Sequence, residues 1–143
     1  MQRLDRIRAD EVRGVEATEI RFDDHLDCIP DWYTPLVLAS AARVEASAGD
    51  LAGFLAATAR GYADVAADPA AGSAAMTDDV LELDAELIDT AVAYYADRFL
   101  TDGAWGPMDG AVWSEFADFL GDAGLLEGEV DVESAWTNDL LPG

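Results

Sequence analysis

Residues 103–126 read GAWGPMDGAVWSEFADFLGDAGLL, and this stretch sets the reading of the chain. It opens on a Gly/Pro-rich turn that carries Trp105. Asp109 then stands where a helix N-cap belongs, because its carboxylate can accept the free N–H groups of a first helical turn. Val112, Trp113, Phe116, Phe119 and Leu120 fall on one side of a 3.6-residue period and form a single apolar face. Gly124 is placed to end the helix in the left-handed conformation, with Leu125 and Leu126 able to fold back onto its last turn. Three bulky aromatics on about three turns must bury against something large. That surface has to come from the rest of the chain or from a partner.

Working outward, the same period recurs upstream. Ala41–Ala48 reads as a short helix, Gly49 as an interruption, and Asp50 as the start of a longer helix reaching about Ala67. Leu51, Phe54, Leu55, Thr58, Tyr62 and Val65 mark its face, the Thr58 hydroxyl bonding back to the preceding turn. Pro69 sits at the position proline prefers in opening PAAGSAAM. Asp84 caps a further helix whose face is Leu87, Ile88, Ala91, Val92, Tyr95 and Phe99. Beyond the opening stretch, VDVESAWTNDLLPG predicts a helical turn and an extended tail.

The N-terminal third has a different texture. Residues 1–13 are polar and Arg-rich and predict a short exposed helix broken by Gly14. Val15–Phe22 is rich in β-formers with imperfect alternation, which suits a strand. Asp23–Tyr33, DDHLDCIPDWY, is an acidic loop in which Pro30 holds Ile29 extended. Thr34–Ser40, TPLVLAS, reads as a strand starting after its proline and buried on both faces. The count is about two strands against five or six helices. Two strands make no stable sheet, and a strand apolar on both faces needs neighbours. The chain is therefore an all-α domain, or its remaining strands lie elsewhere.

Composition narrows the function classes. The 143 residues can build one sizeable core, and 51% hydrophobic residues rule out a disordered polypeptide. Thirty acidic residues face eight basic ones, all of them Arg, for a net charge of −22. Binding to nucleic acid or anionic lipid through phosphates would be repulsive. Carboxylates dispersed along the chain, with no Lys, point to a protein adapted to high salt. A single cysteine, Cys28, excludes an intrachain disulfide. No apolar run approaches the ~18 residues of a membrane span, and residues 1–14 lack the apolar core of a signal peptide, so the chain as written is expected to stay in the cytoplasm.

The order of these segments resembles a known family. IPDWYTPLVLAS is followed by a helix ending FLAATARGYADVAADPAAG. Then come LDAELIDTAVAYYADRF, WGPMDGAVWSEFADFLGDAGLL and VDVESAWTNDLLP. The most specific matches are ATARGY at 57–62, Trp105–Gly106, Met108 and Asp109 with Trp113, GLL at 124–126, and Thr137–Asn138 before Leu140. Over residues 15–142 the chain is similar to the C-terminal part of the thiamine-pyrimidine-precursor binding proteins. These are substrate-binding components of ABC importers, in one superfamily with the fungal pyrimidine synthase. The resemblance implies a two-lobed α/β parent of the type II periplasmic-binding-protein fold, about twice this length. This chain would be its helix-rich C-terminal fragment. Residues 1–33 would be the end of the second lobe and a hinge crossover, and residues 34–143 the C-terminal part of the first lobe. An extracytoplasmic place, an ABC permease partner and a separate N-terminal-half chain are implied in the same way.

Asp23, Asp24, Asp27 and Pro30 are then the candidate hinge residues. Trp32 and Tyr33 are the candidate ligand-binding pair, able to stack on a pyrimidine-like ring or to pack beneath the hinge. Asp23, Asp24, His25, Asp27 and Cys28 crowd five potential metal ligands together, yet no second His or Cys completes a transition-metal shell, so a solvated acidic loop is expected and no metal. Trp105, Trp113 and Trp136 are expected in cores. No catalytic residue and no cofactor is assigned: the lone His has no paired nucleophile, and Lys for a Schiff base is absent. The expectation is an importer's solute-binding component that does no chemistry. A stand-alone acidic helical module that buries its apolar faces on a partner or a second copy is the alternative, and a pyrimidine-synthase-like enzyme a more distant one.

Overall fold

A computed structural model of the chain describes residue 18, residues 20–78, residue 80 and residues 82–143. The expected N-terminal helix over 1–13 and most of the expected strand over 15–22 lie outside the described residues. Among the described residues, five α-helices follow one 3₁₀ turn, Phe22–Asp24. They are α1 (Ala41–Ala67), α2 (Pro69–Thr77), α3 (Ala85–Ala96), α4 (Gly110–Asp122) and α5 (Val132–Ala135). The described residues contain no β-strand, only an isolated antiparallel bridge between Thr101 and Ala104. Thr34–Ser40 is irregular chain with no ladder partner.

The helix starts follow the local chemistry. The Asp84 carboxylate accepts the Leu87 N–H at 3.2 Å, and that of Asp109 accepts the Ala111 N–H at 2.9 Å. Asp68 caps α2 through the Ala71 N–H at 3.0 Å, with Pro69 in the first turn as expected. The end of α4 is a full Schellman motif. Gly124 has φ +67°, its N–H donates to the Gly121 carbonyl, and the Leu125 N–H donates to that of Leu120. Leu126 is half-buried, whereas Leu125 stays 67% exposed. In α1 the break falls at Ser47 (φ −145°, ψ 33°), two residues before the expected Gly49, and the helix resumes to Ala67.

The chain divides into two compact units. Of the described residues, the first comprises residue 18 and those within Ala56–Gly106, the second Ile20–Leu55 and Pro107–Gly143, so α1 begins in the second unit and ends in the first. Residues on both sides of Tyr33 lie in the second unit.

In the first unit α2 packs on α3. Gly72 of α2 also lies close to the end of α1, where a Cβ on it would meet Val65 Cγ1 at 2.7 Å. Ser73, Ala91, Val92 and Ala96 are buried, and the Ser73 hydroxyl is satisfied by donating to Asp89. Tyr62 is edge-on to Phe99 at 5.0 Å and stacked on Trp105 at 5.2 Å, which accounts for the aromatic on the turn. That turn is tight: Asp102 and Gly103 both have positive φ, and Thr101 and Ala104 exchange two backbone hydrogen bonds.

Candidate functional site

The candidate ligand pair sits in the second unit, on the segment between the 3₁₀ turn and α1. The Asp31 carboxylate accepts the Trp32 N–H at 2.9 Å. The Trp32 ring lies 5.8 Å from Phe22, tilted, and 5.7 Å from Phe116, stacked at 21°. Phe116 in turn stacks on Phe119 at 6.1 Å. Tyr33 lies 6.0 Å from Trp113, which stacks nearly parallel on Trp136 at 6.4 Å. The apolar face of α4 read from the sequence therefore receives the two residues Trp32 and Tyr33 on one side and Trp136 on another. Trp32 and Tyr33 are half-buried. Their proximity to other rings makes an aromatic cluster worth roughly 0.5–1.5 kcal/mol per well-placed pair beyond area burial.

Polar contacts fix this cluster to the start of α4. The Tyr33 hydroxyl accepts the backbone N–H of Asp109 at 2.7 Å, while the Asp109 side chain caps the helix. Asn138 holds the preceding residue with both ends of its amide: Oδ1 accepts the Met108 N–H at 3.1 Å and Nδ2 donates to the Met108 carbonyl at 2.8 Å. Trp136 rests so close to Gly110 that a Cβ there would lie 3.2 Å from its indole. The Nε1 of Trp113 is buried with no hydrogen-bond partner. Met108, Asp109, Trp113 and Asn138, named above as specific family matches, thus converge at one place with Tyr33.

The acidic loop is solvent-exposed from Asp23 to Cys28 and carries local polar contacts. Arg21 pairs with Asp23 through Nε at 3.0 Å, with a second contact from its other nitrogen, and its Nε is 4.0 Å from Asp24. Asp23 and Asp24 belong to the 3₁₀ turn, and the His25 carbonyl accepts N–H groups from Cys28 and Ile29. Asp27 is exposed and Pro30 half-buried. Among the described residues no three His, Cys, Asp or Glu side chains are grouped to hold a metal. The sequence reading missed Arg21 as the neutralising partner; its spacing of two and three residues from the carboxylates was the available signal.

Two open grooves lie within single units, and neither is lined by Trp32 or Tyr33. One, of about 880 Å³, runs along the end of α4 and the chain from Leu126 to Val132, with the carboxylates of Asp118, Asp122, Glu129 and Asp131 around it. The other, of about 630 Å³, lies at the start of α2 beside Ser73 and Asp89. No helix among the described residues is long and apolar enough to cross a membrane.

No family model matches the chain. It is similar to the riboflavin-binding protein RibY of Chloroflexus aurantiacus, 29% identical over 99 residues that cover 63% of this chain and 28% of the relative. The match therefore spans less than a third of that protein's length. A small-molecule binding relative agrees with the broad expectation of a binding protein. Its ligand is a flavin, and thiamine-related pyrimidine specificity finds no support in it.

Proposed function

We propose that this chain is part of the solute-binding component of an ABC importer, acting outside the cytoplasm, and that its solute carries a planar nitrogen heteroaromatic ring. The similarity to a riboflavin-binding protein carries this reading. A thiamine-related pyrimidine, expected from the sequence, and a flavin share that ring chemistry: a flat π-face for stacking and ring nitrogens for hydrogen bonds. The parent molecule is read as a two-lobed α/β protein that captures its solute by lobe closure, with Asp23–Tyr33 in the hinge and no catalytic step. Trp32 and Tyr33 are the residues proposed to lie toward the solute. The aromatic cluster supports a positioning part for them, since Phe116 and Trp113 fix where their rings stand.

The test is isothermal titration of the protein, isolated from its own cells through a C-terminal tag, with riboflavin and separately with the aminopyrimidine half of thiamine. Saturable binding of one of them at about micromolar Kd or tighter, near −8 kcal/mol, is expected. Absence of binding by both would overturn the reading.

One observation favours a second reading, the stand-alone interaction module. No described residue of the second unit is buried, and several of its large apolar side chains are exposed. An assembly whose formation alone buries those side chains, without any solute, would fit that reading.

A further inference from the structure

We propose that Asn138 and Tyr33 act as one device: Asn138 holds the Met108–Asp109 peptide, and that peptide sets the Tyr33 hydroxyl as a hydrogen-bond donor to an acceptor atom of the solute. The proposal rests on the solute-binding reading above and adds a polarity that the solute must match.

One peptide plane carries both contacts. The Asn138 Nδ2 donates to the Met108 carbonyl at 2.8 Å, and the Tyr33 hydroxyl oxygen accepts the Asp109 N–H at 2.7 Å. That carbonyl and that N–H belong to the same planar group, so a grip on one end orients the other. The Asn138 Oδ1 accepts the Met108 N–H at 3.1 Å and so holds the preceding plane as well. Hydrogen bonds in such a row polarise one another: donation to the carbonyl makes the Asp109 N–H a stronger donor to Tyr33.

The Tyr33 oxygen is left with its donor to spend. A tyrosine hydroxyl can both accept and donate. Its accepting side is taken by Asp109, and among the described residues no group accepts the Tyr33 O–H. A phenol proton prefers the ring plane, and the incoming Asp109 N–H keeps it off one side. Tyr33 is half-buried, which leaves its O–H open to a solute. The Trp113 Nε1 is also unpaired, but it is buried and out of a solute's reach. The Tyr33 ring lies 6.0 Å from Trp113, and Trp113 stacks on Trp136, two residues before Asn138. The C-terminal tail therefore fixes Tyr33 through its ring and through its oxygen.

A fixed donor selects. It matches a ring nitrogen or a carbonyl oxygen, which flavins and aminopyrimidines both present, and it disfavours a solute N–H at the same spot. Removing the hydroxyl leaves the solute's acceptor unsatisfied.

The test is isothermal titration of the native form, isolated from its own cells through a C-terminal tag, with riboflavin and with the aminopyrimidine half of thiamine. For whichever compound binds, Tyr33→Phe should raise Kd about tenfold. Asn138→Ala should raise it about threefold by itself and not at all in the Tyr33→Phe background, because Asn138 acts through the hydroxyl. Near-UV circular dichroism of the tryptophans checks the fold of each variant. Asn138→Gln, which keeps the amide on a longer arm, takes the place of Asn138→Ala if that variant does not fold. An unchanged Kd in Tyr33→Phe would overturn the proposal and leave the solute-binding reading standing. An equal loss from the Asn138 substitution in both backgrounds, the mark of a purely structural role, would overturn it too. Binding of neither compound by the unsubstituted protein would overturn both.

Discussion

Asn138 commits its whole side-chain amide to Met108, thirty residues away in sequence, and so pins the C-terminal tail to the start of α4. Asn138→Ala should destabilise the chain by roughly 1–3 kcal/mol in a urea melt, because both Met108 groups lose part-buried partners. Asn138→Asp should cost at least as much, since its carboxylate can accept the Met108 N–H but sets a second acceptor oxygen against the Met108 carbonyl. Tyr33 tests two roles in one substitution. Tyr33→Phe removes the acceptor for the Asp109 N–H and should cost about 0.5–1.5 kcal/mol of stability. A loss of solute affinity in the native form beyond that seen for Phe116→Leu would place the hydroxyl at the ligand. Equal losses would confine Tyr33 to holding α4.

At the scale of elements, the caps carry the clearest expectations. Asp109→Ala removes the N-cap of α4 and should cost about 0.5–2 kcal/mol. Gly124→Ala forces a Cβ into φ +67° and should cost roughly 1 kcal/mol, even though nothing lies within 4 Å to clash with it. Both are read as midpoint shifts in helical circular dichroism. These features were legible in the sequence because they are local. Asp84, Pro69, Asp109 and Gly124 act within a few residues of themselves, and the faces of α3 and α4 follow one period. The break in α1 falls at Ser47, two residues before the Gly49 that the sequence marks, since in a short stretch of small residues tertiary context chooses where the helix bends. The run 34–40 has the pattern of a strand, but a ladder needs partner strands, and the described residues contain none. The contacts of Trp32 and Tyr33 were illegible for a related reason: spacing marks a face, and it does not say which ring from elsewhere will meet it.

At the scale of the whole molecule, charge dominates. A net −22 on 143 residues repels itself, and salt shortens the reach of that repulsion from ~10 Å at 0.1 M to ~3 Å at 1 M. The melting temperature should therefore rise by several degrees between those concentrations of KCl. A flat or falling profile would contradict adaptation to high salt. The central claim, a solute-binding component completed by polypeptide beyond this chain, is tested most directly by native mass spectrometry of the tagged protein from its own cells. The account predicts a mass exceeding that of the 143-residue chain and a further non-covalent increment on adding riboflavin or the aminopyrimidine half of thiamine. A particle with the mass of this chain or of its simple multiples, unchanged by either compound, would contradict it.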